Sequence, residues 1–406
     1  MTKNFLHFFI RLMPAFALVG LLSTTINADQ LLAGKTGGFD PVPGKTMLVV
    51  GQDLDAVRGY VSSACCPLPM GVTAYIGLYQ LSSSASVYQG LGMRPDGTWA
   101  QENADWGGGP TNAMTMAREN PQSALLIGIS YVEANNAGSL QGILEGDYNA
   151  QIDQLARFIQ EVDNTVVLRL GYEFDGAWNP GYENANLYAE VFRYITLRLR
   201  KGPDQNFRTV WQASASPIDD VLDGQRESIE SWYPGDDVVD WIGLSWFLAP
   251  DEKPLRQVNY VSTQRQLSEE VVKFARARNK PVIIAEASPQ GYDLTNVTRR
   301  NISPIWDGVA GEERQQVDAE LIWRQWYAPL FNYIDTNRDV IAALAYININ
   351  WDSQDLWDSP YEQGYWGDSR VQKNKTIMQR WNQEMGKPGW VHSGVAGGGV
   401  QEVQHQ

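Results

Sequence analysis

The sequence predicts a single (β/α)8 barrel, on three observations. From about residue 45 onward, eight short apolar runs alternate with helical segments, the pattern of buried parallel strands joined by crossover helices. No Gly-rich phosphate loop follows the first run, where Gly51-Gln52-Asp53-Leu54-Asp55 stands instead. This argues against the alternative, a doubly wound open sheet. Two of the runs also close on a carboxylate, Glu173 and Glu286, at the strand ends where barrels of this kind carry their chemistry.

Taken in order, the chain opens with Lys3 and Arg11, an apolar run over residues 12–22, and small and polar residues up to Ala28. This is the pattern of a secretory signal peptide over residues 1–28, which implies a secreted protein. A membrane anchor is disfavoured, because Pro14 interrupts the run and it falls short of the ~20 residues a spanning helix needs. The expected strands are residues 46–50, 71–78, 124–130, 165–172, 208–213, 238–246, 281–286 and 341–349, each short, apolar and rich in β-branched side chains. Helical periodicity is clearest over 148–162, 184–201, 260–279, 315–336 and 371–385. The long irregular segments 79–109 and 290–311 follow strands two and seven, so they are insertions on the catalytic face. Residues 40–388 thus form the catalytic domain, and the Gly-rich stretch 389–406 is expected to be a flexible tail.

Composition removes several functions. The formal charge is −15, and loss of Lys3 and Arg11 with the signal would make the remainder more acidic still. Such a surface repels nucleic acid and anionic membranes. The three histidines are His7, His392 and His405. None lies in the barrel body, so neither a His-ligated metal site nor a Ser-His-Asp triad is available there. No metal or organic cofactor is expected. The only cysteines, Cys65 and Cys66, are adjacent; they read either as a vicinal disulfide or as two buried thiols, and neither suggests catalysis.

The chemistry centres on residues 168–179, Leu-Arg-Leu-Gly-Tyr-Glu-Phe-Asp-Gly-Ala-Trp-Asn. Strand alternation puts Arg169, Gly171 and Glu173 on one face and Leu168, Leu170 and Tyr172 on the other. A buried Arg needs an anion, and Glu286 supplies one from the seventh run. Either Glu alone would fit a structural ion pair or a turn cap. Together, flanked by Trp178 and Trp351, they fit acid/base and nucleophilic work on a glycosidic bond. Flat apolar faces stack on sugar rings, which makes Trp178 and Trp351 candidates for substrate contact, with Trp106, Trp246 and Trp366 behind them. Gln52 and Asp53 either bond sugar hydroxyls or, in the case of Asp53, cap the following helix.

These residues resemble glycoside hydrolase family 26, and within it the secreted β-1,3-xylanases. The likeness runs from Gly51-Gln52-Asp53 through Tyr172-Glu173, residues 175–179, 239–245, 286–290, 346–348 and 351–354 to the block 364–372, Gly-Tyr-Trp-Gly-Asp-Ser-Arg-Val-Gln. It implies a retaining endo-hydrolase acting on β-1,3-xylan as a monomer, with Glu173 as general acid/base, Glu286 as nucleophile, and Gln52, Asp53, Arg169, Tyr172, Trp178, Trp246 and Trp351 around the sugar. Arg169 would keep Glu286 ionised. Tyr172 stands where mannan-cleaving relatives carry His, which argues against mannan. Ser245-Trp246-Phe247 stands where a Tyr usually orients the nucleophile, which leaves open how Glu286 is held. Another β-glycan as substrate, or a barrel that binds carbohydrate without turnover, are the alternatives.

Overall fold

The computed structural model describes residues 38–395, except 82–86, 133–137, 203–206, 220–227, 252–261, 300–313 and 358–365. The stretch 1–28, expected to be a signal peptide, lies outside the described residues. Eight parallel strands are found: β1 (Thr46–Gly51), β2 (Gly71–Gly77), β3 (Ala124–Ser130), β4 (Val166–Leu170), β5 (Phe207–Ala213), β6 (Trp241–Trp246), β7 (Val282–Ala287) and β8 (Ile341–Ile347). Each pairs with its neighbours in chain order, and β8 pairs with β1, so the barrel is closed. Its interior is filled by alternate residues, among them Met47, Val49, Leu126, Val167, Val210, Ile283, Ala285 and Ala343. Phe39 packs on Trp241 there, ring centroids 5.1 Å apart. The other parity faces the helices in a larger shell that includes Leu168, Trp211, Leu244 and Trp246, as the two-residue repeat of a strand requires.

Several of the helices begin at a side-chain cap. Asp53 caps α1 (Leu54–Ser62), Asn112 caps α2 (Ala113–Glu119) and, after α3 (Ser139–Glu145) and α4 (Asn149–Glu161), Asn184 caps α5 (Ala185–Leu199). Thr263 and Gln266 form a reciprocal capping box on α6 (Gln264–Ala277), satisfying two otherwise orphaned N–H groups. The periodic segment 315–336 is not one helix. A short helical piece, Ala319–Ile322, leads through a π-helical turn, Trp323–Tyr327, into α7 (Ala328–Thr336). Pro329 stands two residues after that turn, and its missing N–H removes one bond back along the helix. The last helix, α8 (Lys375–Met385), is capped by Asn374.

The first residues of the stretch expected to form a tail, 389–406, are paired. Trp390–Val391 pairs with β1, and Gly394–Val395 pairs with Pro67–Leu68, so the chain is tied to the barrel through Val395. Beside that pairing, Cys65 and Cys66 are joined as a vicinal disulfide. The long segment after β7 contributes a small sheet of Tyr292–Asp293, Thr298–Arg299 and Gln315–Gln316. Among the described residues, no helix is long and apolar enough to cross a membrane.

Candidate active site

Glu286 reaches the barrel mouth through an irregularity. Ala285 faces the interior core, so strict alternation would turn Glu286 outward toward the helices. β7 instead carries one extra residue against both neighbours here: consecutive Leu244 and Ser245 pair with Ile284 and Glu286, while Leu344 and Tyr346, two apart, pair with Ile284 and Ala287, three apart. A β-bulge of this kind re-aims a side chain, and it brings Glu286 inward beside Arg169. The guanidinium Nη1 of Arg169 donates to Glu286 Oε1 at 3.0 Å, to Gln212 Oε1 at 3.1 Å and to the Ala285 carbonyl at 3.1 Å. Arg169 is fully buried. Its carbon Cζ sits 4.6 Å from the centroid of the Tyr75 ring and 5.4 Å from that of Tyr172, so two aromatic faces help hold the cation.

β4 ends at Leu170, and the backbone then leaves the strand: Gly171 has φ +56° and Glu173 φ +55°. The parity expected to turn Tyr172 away therefore does not hold, and Tyr172 and Glu173 both line the cleft. A left-handed backbone at a non-glycine residue is unfavourable and has to be held by its surroundings. Here the Glu173 carbonyl accepts from Gly176 N and from Asn179 Nδ2 at 2.8 Å. The Glu173 carboxyl accepts from Ser245 Oγ at 2.7 Å through Oε1 and from Trp178 Nε1 at 2.9 Å through Oε2. Burial and the neighbouring Glu286 charge nevertheless hold it well above the usual carboxylate range, because together they outweigh these two donors. Asp175, half-buried nearby and accepting from Ser214 N, is pushed up to about 6 by desolvation.

The carboxyls of Glu173 and Glu286 are joined by two further side chains. Glu173 Oε1, Ser245 Oγ, Gln212 Nε2 and Glu286 Oε1 follow one another at 2.7, 3.1 and 3.0 Å. That succession keeps the two acids within roughly 9 Å, inside the range of glycosidase pairs. Around them is a cleft of about 440 Å³ lined by Gln52, Tyr75, Trp106, Trp178, Phe247, Gln290, Trp351, Trp357 and Trp366, among others. Its residues come from the strand ends of one barrel face and the loops above them. Trp178 is 41 % exposed there. Trp351 lines the same cleft but is only 1 % exposed, stacked on Trp366 at 4.9 Å and donating to Ser288 Oγ.

Two expected contacts are not made. Trp246 is fully buried on the helix side of β6, its ring 5.0 Å from that of Tyr333; strand parity turns Ser245 inward and Trp246 out. Asp53 is a helix cap, accepting from Ala56 N at 2.8 Å through Oδ1 and from Gln354 Nε2 at 3.0 Å through Oδ2. It lines a separate polar pocket with Asp55, Asp105, Asn350 and Gln354, and burial pushes its carboxyl up to about 6. Conversely, Gln212 and Tyr75 belong to the site although no motif marked them, and Ser245, the last residue of the block 239–245, enters it with a role the motif did not assign. Gln212 carries a readable signal as the polar residue at the end of the apolar stretch Val210-Trp211, in the position that Glu286 occupies on β7.

Known proteins resemble this chain in sequence and in fold. The sequence profile of Glycosyl hydrolase family 26 matches residues 127–288, the stretch from β3 to the end of β7. The chain is 39% identical over 354 residues to a protein from an Alcaligenes species named "Beta-1,3-xylanase", covering 86% of this chain and 66% of that one. A protein from a Vibrio species named "Beta-1,3-xylanase TXYA" is also 39% identical, over 353 residues, covering 86% and 67%. The chain thus spans about two thirds of the length of these relatives. In fold it is similar to an endo-β-1,4-mannanase of Cellulomonas fimi (TM-score 0.53, 13% identity, 87% of this chain and 73% of that one). It is also similar to a family 26 β-mannanase from Bacteroides ovatus (TM-score 0.51, 13% identity, 89% and 95%). With the closed barrel, the profile match and the extent of identity to the xylanases taken together, the chain belongs to glycosyl hydrolase family 26.

Proposed function

We propose that this protein is a secreted, monomeric endo-hydrolase of β-1,3-xylan that works by double displacement, with Glu286 as nucleophile and Glu173 as general acid/base. The observation that carries the roles is the unequal setting of the two acids. Glu286 is paired with a buried cation, Arg169, at 3.0 Å, the partner that suits a nucleophile attacking as a carboxylate. Glu173 has neutral donors only and keeps its proton, which suits an acid. The substrate follows from the relatives' names and from Tyr172, the residue that argues against mannan.

In the first step a Glu286 oxygen bonds to the anomeric carbon, and the bond from that carbon to the leaving sugar's oxygen breaks. The Glu173 proton passes to that oxygen. In the second step Glu173, now a carboxylate, takes a proton from water; the water oxygen bonds to the anomeric carbon and Glu286 leaves. Two inversions give net retention. Indole faces at Trp106, Trp178, Trp357 and Trp366 suit pentose rings on either side of the acids. A screen of the purified protein on β-1,3-xylan, β-1,4-xylan, laminarin and mannan tests the reading. Release of β-1,3-linked xylo-oligosaccharides from the first substrate alone is the expected result. Preference for another polymer would replace the substrate, and binding without products on all four would leave a carbohydrate-binding barrel. Light scattering on the same preparation tests the monomer.

A further inference from the structure

The geometry points to Gln212 and Ser245 as positioning residues: a one-way hydrogen-bond bridge that fixes the acid proton on the cleft-facing oxygen of Glu173. It rests on the reading of Glu173 as acid/base.

The direction of the bridge follows from a donor that cannot accept. Arg169 carries only N–H groups, and its Nη1 lies 3.1 Å from Gln212 Oε1. The Gln212 amide is therefore oriented with its oxygen toward Arg169 and its NH2 group toward Ser245 Oγ and Glu286 Oε1, at 3.1 and 3.0 Å. Its two N–H bonds serve one acceptor each. Ser245 Oγ, already accepting, has one hydrogen left, and Glu173 Oε1 is its partner at 2.7 Å. Oε1 must then accept, so a proton on Glu173 belongs on Oε2. That oxygen also meets the indole N–H of Trp178, and Trp178 lines the cleft.

The bridge is enclosed and spatially reserved. Gln212 and Ser245 are both fully buried, so water does not compete for these bonds. Gly243 lies opposite Gln212 in the β5–β6 register, and a Cβ there would sit 2.9 Å from Gln212 Cβ. The bare glycine leaves the space the amide needs. Ser245 has a second effect over the catalytic cycle. After Glu173 has given up its proton, the hydroxyl stabilises the carboxylate that the second step uses as a base. It acts on Glu173, not on the sugar.

Ser245→Ala, Ser245→Thr and Glu173→Gln test this with two readouts. One is the pH profile of kcat/KM on a β-1,3-linked xylo-oligosaccharide. The other is kcat on a nitrophenyl β-xylobioside, whose activated leaving group makes the second step limiting. Removing the hydroxyl takes a donor from the Glu173 carboxylate, so Ser245→Ala should move the alkaline limb up by about one pH unit and slow the aryl glycoside about tenfold. Ser245→Thr, which keeps the hydroxyl, should restore both. An alkaline limb unmoved in Ser245→Ala, or a loss equal at every pH that Thr does not restore, overturns the bridge. The Glu173→Gln profile separates this from the underlying role. If its alkaline limb persists, Glu173 is not the acid and both readings fall. If the limb vanishes there but stays put in Ser245→Ala, only the bridge falls.

Discussion

Gly128 touches no substrate in this account, yet replacing it should damage catalysis through Arg169. Gly128 on β3 pairs with Arg169 on β4. A Cβ at 128 would stand 2.7 Å from Arg169 Nη2 and 2.8 Å from Tyr75 Cδ1. Ordinary contact begins near 3.5 Å, so each neighbour must retreat by roughly 0.8 Å. Arg169 has little room, since Nη1 is held by three acceptors at 3.0 to 3.1 Å and the aromatic faces of Tyr75 and Tyr172 flank its other side. A shift of that size breaks or stretches the bond to Glu286. A hydrogen bond to a charged group contributes about 1.5–3 kcal/mol, and overpacking a filled core costs about 1–3 kcal/mol. Gly128→Ala should therefore lower kcat/KM on β-1,3-xylo-oligosaccharides by about ten- to a hundredfold. Its Tm should fall by several degrees. Near-normal kinetics in a folded Gly128→Ala would show that the Arg169–Glu286 contact does not matter to turnover.

Three further outcomes are expected. Trp178→Phe keeps an aromatic face but removes the N–H that reaches Glu173 Oε2; kcat/KM should drop by roughly tenfold, and steady-state kinetics on the xylo-oligosaccharide will read it. Trp246→Leu should do the opposite, losing about 2 kcal/mol or more in chemical denaturation while kcat stays within about twofold, because its ring packs on Tyr333 away from the cleft. For Glu173→Gln the comparison is stability against pH. The folded protein raises this carboxyl above its ordinary value of 4.5, so it binds the proton more tightly than the unfolded chain does. That contribution is complete below the ordinary value and is lost as pH rises toward the raised one. The Gln variant should then gain on the wild type in denaturant midpoint across that window, and a gap independent of pH would contradict the burial argument.

Much of this was legible in the sequence, for reasons that also mark where it was not. The eight strands are visible because each is a short apolar run buried on both faces, and α4, α5, α6 and α8 because their apolar residues recur with helical periodicity, whereas the shorter α2 and α3 carry too few turns to show one. Glu173 and Glu286 stand out because a carboxylate closing such a run is conspicuous. Side-chain direction was not legible beyond the regular strand. At β6 the contrast between Ser245 and Trp246 turns on a single residue of register, and composition favours the larger aromatic as the site residue. Glu286 points inward because of a bulge that involves both neighbouring strands, which no local pattern encodes. Asp53 was ambiguous between cap and ligand, and only the positions of Ala56 N and Gln354 decide it. The chain after residue 389 looked loose because it is rich in glycine, whereas Trp390–Val391 adds to β1 through backbone bonds that composition does not reveal.

The division of roles between the two acids can be tested by trapping. A 2-deoxy-2-fluoro xylobioside with an activated leaving group lets the first step proceed and slows the second, so the covalent sugar accumulates on the nucleophile. Digestion and peptide mass spectrometry should then find one added fluoro-xylobiosyl group, on the peptide carrying Glu286, with Glu173 unmodified. A label on Glu173, or enzyme that turns over the inhibitor without any adduct, would contradict the account.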